Sequence, residues 1–351
     1  MKKNLLLIGL SIVFIIVLIG CGGGGGEPRT EEPLFSQADY QGEWNWNALY
    51  AGDDPQFQAW SRGDMTVDGT GNATGSHTLS SGASGQFSDV YPLSSSGIIT
   101  SKNDNTYEGV MSIDKNLVVR TKTHTSGSVS LALIQRAGGT FSTGDMQGSW
   151  NFHTICGADD PNFLGWIRGD MTIDAAGNIT SSLYHSSSGG TGTVPIGPFS
   201  VDASGIVTAQ NDPTTEGVMS IDKDLVVRTR GTPPIACITV SLRAGGTFST
   251  SDLEGTWSFQ FLKVGDAPIQ VNRWERGTIV LDANGNVTSG SYIDSDGSSG
   301  ALDPGPFSIS SSGVISNPDV VFRGTMSPDK NLLVGTSTDT DGYFIVIGVR
   351  R

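Results

Sequence analysis

Three times the chain writes the same text. Gly42-Glu43-Trp44, Gly148-Ser149-Trp150 and Gly255-Thr256-Trp257 open units spaced by 106 and 107 residues. A Trp-x-Arg-Gly segment follows in each, at Trp60, Trp166 and Trp274, and then Asp-x-x-Gly-Asn at Asp68, Asp174 and Asp282. Gly-x-Met-Ser at Gly109 and its counterparts at Gly217 and Gly324 come next, then Asp-Lys pairs at Asp114, Asp222 and Asp329, and the units close on Arg136, Arg243 and Arg350. Six of the seven Trp residues sit at equivalent places, so the repeat is no accident of composition. Whatever fold suits one unit must suit all three. The units take residues 36–141, 142–248 and 249–351.

The second unit shows its strands most clearly. Alternating or β-branched runs, separated by Gly, Asp, Asn and Pro, predict eight strands at about 149–156, 164–173, 178–186, 197–202, 205–210, 216–221, 225–230 and 236–243. No segment has helical periodicity. The composition agrees: 48 Gly and 16% charged residues leave too little of what helix bundles and coiled coils need. Short Asp-led turns fall at one end of such a meander and the longer connections at the other. The expected fold is all-β, three tandem antiparallel up-and-down barrels; tandem sandwiches or propeller blades with two sheets per repeat are the alternatives.

An even strand number lets the last strand pair with the first. Trp150 and Cys156 lie six apart on the first strand, and Cys237 and Arg243 six apart on the last, so both cross-pairs fit one antiparallel register. A Cys156–Cys237 disulfide is then geometrically reasonable, with two free buried thiols as the alternative. A Gly-x-Trp on the first strand with an Arg near the end of the eighth resembles the calycins, the group of lipocalins, fatty-acid-binding proteins and avidins. That resemblance implies that Arg136 packs across Trp44, Arg243 across Trp150 and Arg350 across Trp257 at the closed end of each barrel. It covers few positions, and no other lipocalin motif is present.

The N-terminus reads as an address. Lys2 and Lys3 precede an apolar run from Leu5 to Ile19, and Leu18-Ile19-Gly20-Cys21 ends it. This ending resembles the lipobox of bacterial lipoproteins, which implies a signal peptide at 1–20, acylation (palmitate among the chains) at Cys21 and anchorage in the cell envelope. Gly22 after the Cys resembles the outer-membrane sorting class, with the membrane face left open. Gly22 to Gly26 begins a tether over 21–35. Loss of the first 20 residues, with their two lysines, leaves 331 residues and takes the charge from −14 to −16. So acidic a chain is no nucleic-acid partner.

Residues that could carry chemistry are few. His77, His124, His153 and His185 occupy no equivalent positions and show no metal-ligand spacing; His153 is expected to face outward. No nucleophile motif is visible, and neither enzyme activity nor a cofactor or metal is expected. Asp53-Asp54, Asp159-Asp160 and Asp266 follow the first strands, near Trp60, Trp166 and Trp274 at the long-loop end. A carboxylate beside a Trp could hold a sugar or a cation, although Asp and Pro also belong in plain surface turns. Asp294-Ser-Asp296-Gly297 and Asp339-Thr-Asp341-Gly342 read as turns rather than calcium loops. The expectation is a non-enzymatic envelope protein that binds a small apolar or sugar ligand at the long-loop end of its barrels; the alternative is an adhesin or scaffold with solid cores, contacting proteins or glycans.

Overall fold

The computed structural model describes residues 34–52, 59–157, 164–265, 272–302, 304–318 and 321–351. Cys21 and the leader lie outside them, as do Asp53, Asp54, Asp159, Asp160 and Asp266. Phe35, at the end of the expected tether, is already buried in the first core.

Each repeat makes its own antiparallel sheet. The first holds β1 (Gly42–Ala51), β2 (Ala59–Val67), β3 (Asn72–Leu79), β4 (Ser84–Val90), β5 (Ile98–Thr100), β6 (Glu108–Met111), β7 (Leu117–Thr123) and β8 (Val129–Arg136), in the order 4-3-2-1-8-7-6-5. The second holds β9 (Gly148–Gly157), β10 (Gly165–Ile173), β11 (Ile179–Ser186), β12 (Thr191–Gly192), β13 (Phe199–Val201), β14 (Ile206–Ala209), β15 (Asp212–Met219), β16 (Leu225–Arg230) and β17 (Ala236–Arg243), in the order 12-11-10-9-17-16-15-14-13. The third holds β18 (Gly255–Val264), β19 (Arg273–Leu281), β20 (Val287–Asp294), β21 (Ser299–Ala301), β22 (Ser308–Ile309), β23 (Val314–Asn317), β24 (Phe322–Met326), β25 (Leu332–Asp339) and β26 (Gly342–Arg350), in the corresponding order.

First and last strands pair in all three. Trp44 lies opposite Arg136, Trp150 opposite Arg243, Cys156 opposite Cys237 and Trp257 opposite Arg350. Cys156 and Cys237 form a disulfide. The ladder stops elsewhere, between β4 and β5, β12 and β13, and β21 and β22. Pro92, Pro195, Pro198, Pro304 and Pro306 fall in those connections, and proline has no N–H to give a ladder. Each repeat is thus a half-barrel closed through its first and last strands and open at one seam.

The concave faces bury three separate cores, built on Trp44, Trp150 and Trp257. A fourth core belongs to all three repeats. Leu49, Leu131 and Leu133 from the first, Ile155, Ile238 and Val240 from the second, and Leu262, Ile345 and Ile347 from the third point away from their own barrels into one cluster. The first and last strands of every sheet are therefore buried largely on both faces, as in Ala236 to Leu242, where every residue is buried although Thr239 and Ser241 are polar. Residues Leu34–Arg351 form one compact unit.

The contacts between repeats run in a cycle. Trp60 Nε1 donates to the Gly231 carbonyl of the second repeat at 2.7 Å, Trp166 Nε1 to Thr338 Oγ1 of the third at 2.8 Å, and Trp274 Nε1 to Thr123 Oγ1 of the first at 2.8 Å. Two residues on, the arginine stacks on that Trp at 3.8, 4.0 and 4.2 Å from the ring centroid. Each arginine also reaches the next repeat: Arg62 donates to Thr214 O, Arg168 to Thr336 O and Arg276 to Thr106 O. The Trp-x-Arg-Gly segment is an inter-repeat clamp. A deeper triplet repeats the cycle, with Asn47 bonded to Thr229, His153 to Thr336 and Gln260 to Thr121. This closed cycle makes the unit pseudo-threefold.

His153 faces away from its own barrel, yet it is buried against the third repeat, with Nδ1 3.2 Å from Thr336 Oγ1 and Nε2 3.1 Å from Thr325 Oγ1. Burial, then the neighbouring Arg168 and Arg323, lowers its pKa from 6.5 to about 3. The unfolded chain takes up this proton below pH 6.5 and the native chain refuses it until about pH 3, so the stabilisation is complete above 6.5 and is lost as pH falls through that window. Thermal unfolding of His153→Gln, which copies the residue of the third repeat, should fall less steeply from pH 6.5 to 4.5 than that of the parent chain; parallel slopes would contradict the assignment.

Candidate functional site

The three interiors differ at several register positions, one of them on the seventh strand of the first repeat and its counterparts. On β7, β16 and β25 the residues facing Gly109, Gly217 and Gly324 are Arg120, Arg228 and Gly335. Arg120 lies over the Tyr107 ring and Arg228 over the Phe199 ring, at 5.4 and 4.7 Å from the centroid. The third repeat has no side chain there, and Phe322 crosses the space: a Cβ on Gly335 would lie 2.4 Å from its ring. On the first strands, Phe261 stands where the other repeats have Ala48 and Thr154. A cation is replaced by an aromatic wall.

The third barrel consequently encloses an apolar cavity of about 300 Å³. Phe259, Phe261, Phe307, Phe322 and Phe344 line it together with Ile279, Leu281, Leu302, Leu333 and Val346. Phe261 and Phe344 pack with ring centroids 4.1 Å apart, and Phe307 meets Phe322 edge-on at 5.8 Å. Its floor is the closed end of the barrel. There Trp257 donates to Leu253 O at 2.8 Å and Arg350 lies over the Trp ring at 4.6 Å, while its guanidinium caps the carbonyls of Asp252, Glu254 and Lys330. Arg136 on Trp44 and Arg243 on Trp150 stack likewise, at 4.3 and 4.4 Å.

Charge gathers at the other end. Lys263 is fully buried, with Nζ 2.5 Å from Asp339 and 3.4 Å from Asp341, so the cation at the Asp339-Thr-Asp341-Gly342 turn is the chain's own ammonium. Glu275 completes the rim: burial raises its carboxyl pKa, opposed by Arg273, whose Nη2 is 2.8 Å away. The cavity thus has a charged border at Glu275 and Asp339 and an apolar, aromatic interior.

Sequence reasoning placed ligand contacts elsewhere. Trp60, Trp166 and Trp274 are buried in the shared core and clamp neighbouring repeats, each with its N–H bonded and one ring face covered by arginine. Trp166 does border a cleft of about 500 Å³ with Arg230 and Tyr343. Phe259 and Phe261 follow from alternation on the first strand of the third repeat, whereas no repeat motif marks the cavity's Phe307, Phe322 and Phe344. Aligning the repeats at Arg120, Arg228 and Gly335 would have exposed the odd one out. Among the described residues no group of three His, Cys, Asp or Glu is arranged to hold a metal.

No protein-family model matches the chain, and no curated protein does. Among solved structures, it is similar to transferrin binding protein B from serogroup B Neisseria meningitidis, with 8% identity, a TM-score of 0.30 and coverage of 88% of this chain and 76% of that one. A protein of unknown function from Nostoc punctiforme has 9% identity and a TM-score of 0.22 over 91% of this chain and 98% of its own. Transferrin binding protein B from Haemophilus parasuis has 9% identity and a TM-score of 0.20 over 88% and 75%. At such slight likeness the fold assignment rests on this chain's own sheets.

Proposed function

We propose that this is a lipid-anchored cell-envelope protein, non-enzymatic, whose third barrel binds a small, largely apolar molecule through its long-loop end. The observation that carries this is the cavity of about 300 Å³ with its five phenylalanines, a size at the lower end of ligand pockets, which run from ~300 Å³ upward. The walls supply hydrophobic burial and ring contacts, worth ~0.5–1.5 kcal/mol per well-placed aromatic pair beyond area. The Glu275 and Asp339 border supports a ligand with one polar end. Fluorescence titration of the whole chain with N-phenyl-1-naphthylamine tests it. Saturable uptake at one site per chain is expected; no saturable uptake would favour the scaffold reading, to which the solid shared core also lends itself.

Anchorage rests on Leu18-Ile19-Gly20-Cys21, and the Cys156–Cys237 disulfide suits an oxidising envelope compartment. Acyl chains hold a protein to a bilayer firmly when more than one is present. Expressed in a bacterium fed labelled palmitate, the parent chain should take up label and fractionate with membranes; Cys21→Ser should do neither. Label retained in that variant would remove the anchor from the account.

A further inference from the structure

We propose that the first barrel is a second site, for a compact aromatic carboxylate. Its interior holds a cavity of about 320 Å³ bordered by Trp46, Tyr91, Tyr107, Arg120 and His124. Arg120 is 7% exposed. Its Nη1 donates to Ser130 Oγ at 2.7 Å, while its Nε is buried with no acceptor. The acids nearby are engaged by other donors. Asp104 is taken by Lys122 at 2.8 Å and by the Thr106 hydroxyl at 2.6 Å. Asp89 accepts from Ser101 and Asn103 and from the Val90 backbone, each at 2.7 Å. His124 adds no second positive charge: burial above all, then Arg120 and Lys122, lowers its pKa to about 3, and the ring sits 2.9 Å from Ser130 Oγ.

A buried guanidinium beside a cavity, with a donor left over and no carboxylate to itself, is costly unless something completes it. A carboxylate does so with charge and with the two acceptors that match a guanidinium fork. The body of the ligand would meet aromatic surface, since Tyr91 and Tyr107 stack at 4.7 Å and Trp46 forms a further wall. Gly335 at the equivalent position denies the third barrel this cation, so one chain would present two barrels with different ligand chemistries.

Calorimetric titration of the full chain with benzoate, and with benzamide as its neutral counterpart, decides the matter. Benzoate should bind saturably and benzamide about tenfold or more weakly, the ratio expected from a hydrogen bond to a charged group. Arg120→Met should reduce benzoate affinity by about tenfold or more while N-phenyl-1-naphthylamine uptake by the third barrel persists, which separates this site from that one. If Arg120→Met fails to fold, Arg120→Lys takes its place and should fall between the two, keeping charge without the fork. No saturable benzoate binding at millimolar concentration, equal binding of the amide, or an indifferent arginine variant would overturn the proposal.

Discussion

Replacing Trp274 by alanine is expected to destabilise all three repeats at once, by about 3–5 kcal/mol. The ring lies in the core common to the repeats, donates to Thr123 Oγ1 of the first and supports the Arg276 guanidinium at 4.2 Å. Its loss opens a cavity, removes the donor to the half-buried Thr123 hydroxyl and unseats an arginine that bonds Thr106 O and faces Glu108 at 3.4 Å. Against a total stability of about 5–15 kcal/mol for a domain, the variant should stand near unfolding at room temperature, read as a large drop in urea midpoint. Independent barrels would instead confine the damage to the third repeat, leaving the circular dichroism and disulfide protection of the second untouched.

Substituting Gly335 by arginine should abolish uptake of N-phenyl-1-naphthylamine. The change gives the third barrel the residue that the first and second carry at Arg120 and Arg228. Its Cβ would fall 2.4 Å from the Phe322 ring, so that ring must swing into the cavity while a guanidinium enters it. Filling and charging the space both act against an apolar probe, and a loss of at least about a hundredfold, some 2.7 kcal/mol, is expected. Overpacking adds about 1–3 kcal/mol of destabilisation. Retained uptake with a folded chain would place the probe elsewhere.

Much of the fold was legible in residue patterns. Period-two runs with Asp-led turns marked the strands, and the six-residue spacing shared by Trp150–Cys156 and Cys237–Arg243 located the register between first and last strands. What alternation could not reveal was where the outward faces go. Val129-Ser-Leu-Ala-Leu-Ile134 is largely apolar on both parities, the mark of a strand buried twice, but Ala236-Cys-Ile-Thr-Val-Ser-Leu242 alternates and is buried on both faces all the same, so only the assembled cycle shows what covers the second face. The recurring Trp and Arg of Trp-x-Arg-Gly point the same way along a strand, so they could stack; that the pair grips the next repeat depends on contacts more than 150 residues away, as from Trp60 to Gly231 at 171. The cavity depends on a difference between the copies, Gly335 for arginine and Phe261 for a smaller residue, whereas the repeat drew the eye to what they share.

The account rests above all on the shared core, and urea unfolding of the intact chain, followed by hydrogen exchange at amides from each repeat, tests it most directly. Leu131, Ile238 and Ile347 stand on the last strand of each sheet and belong to that one core. Their amides should report the same free energy of opening and the same midpoint, a single cooperative transition for Leu34 to Arg351. Three separate midpoints, or one repeat opening fully while the other two stay protected, would contradict it.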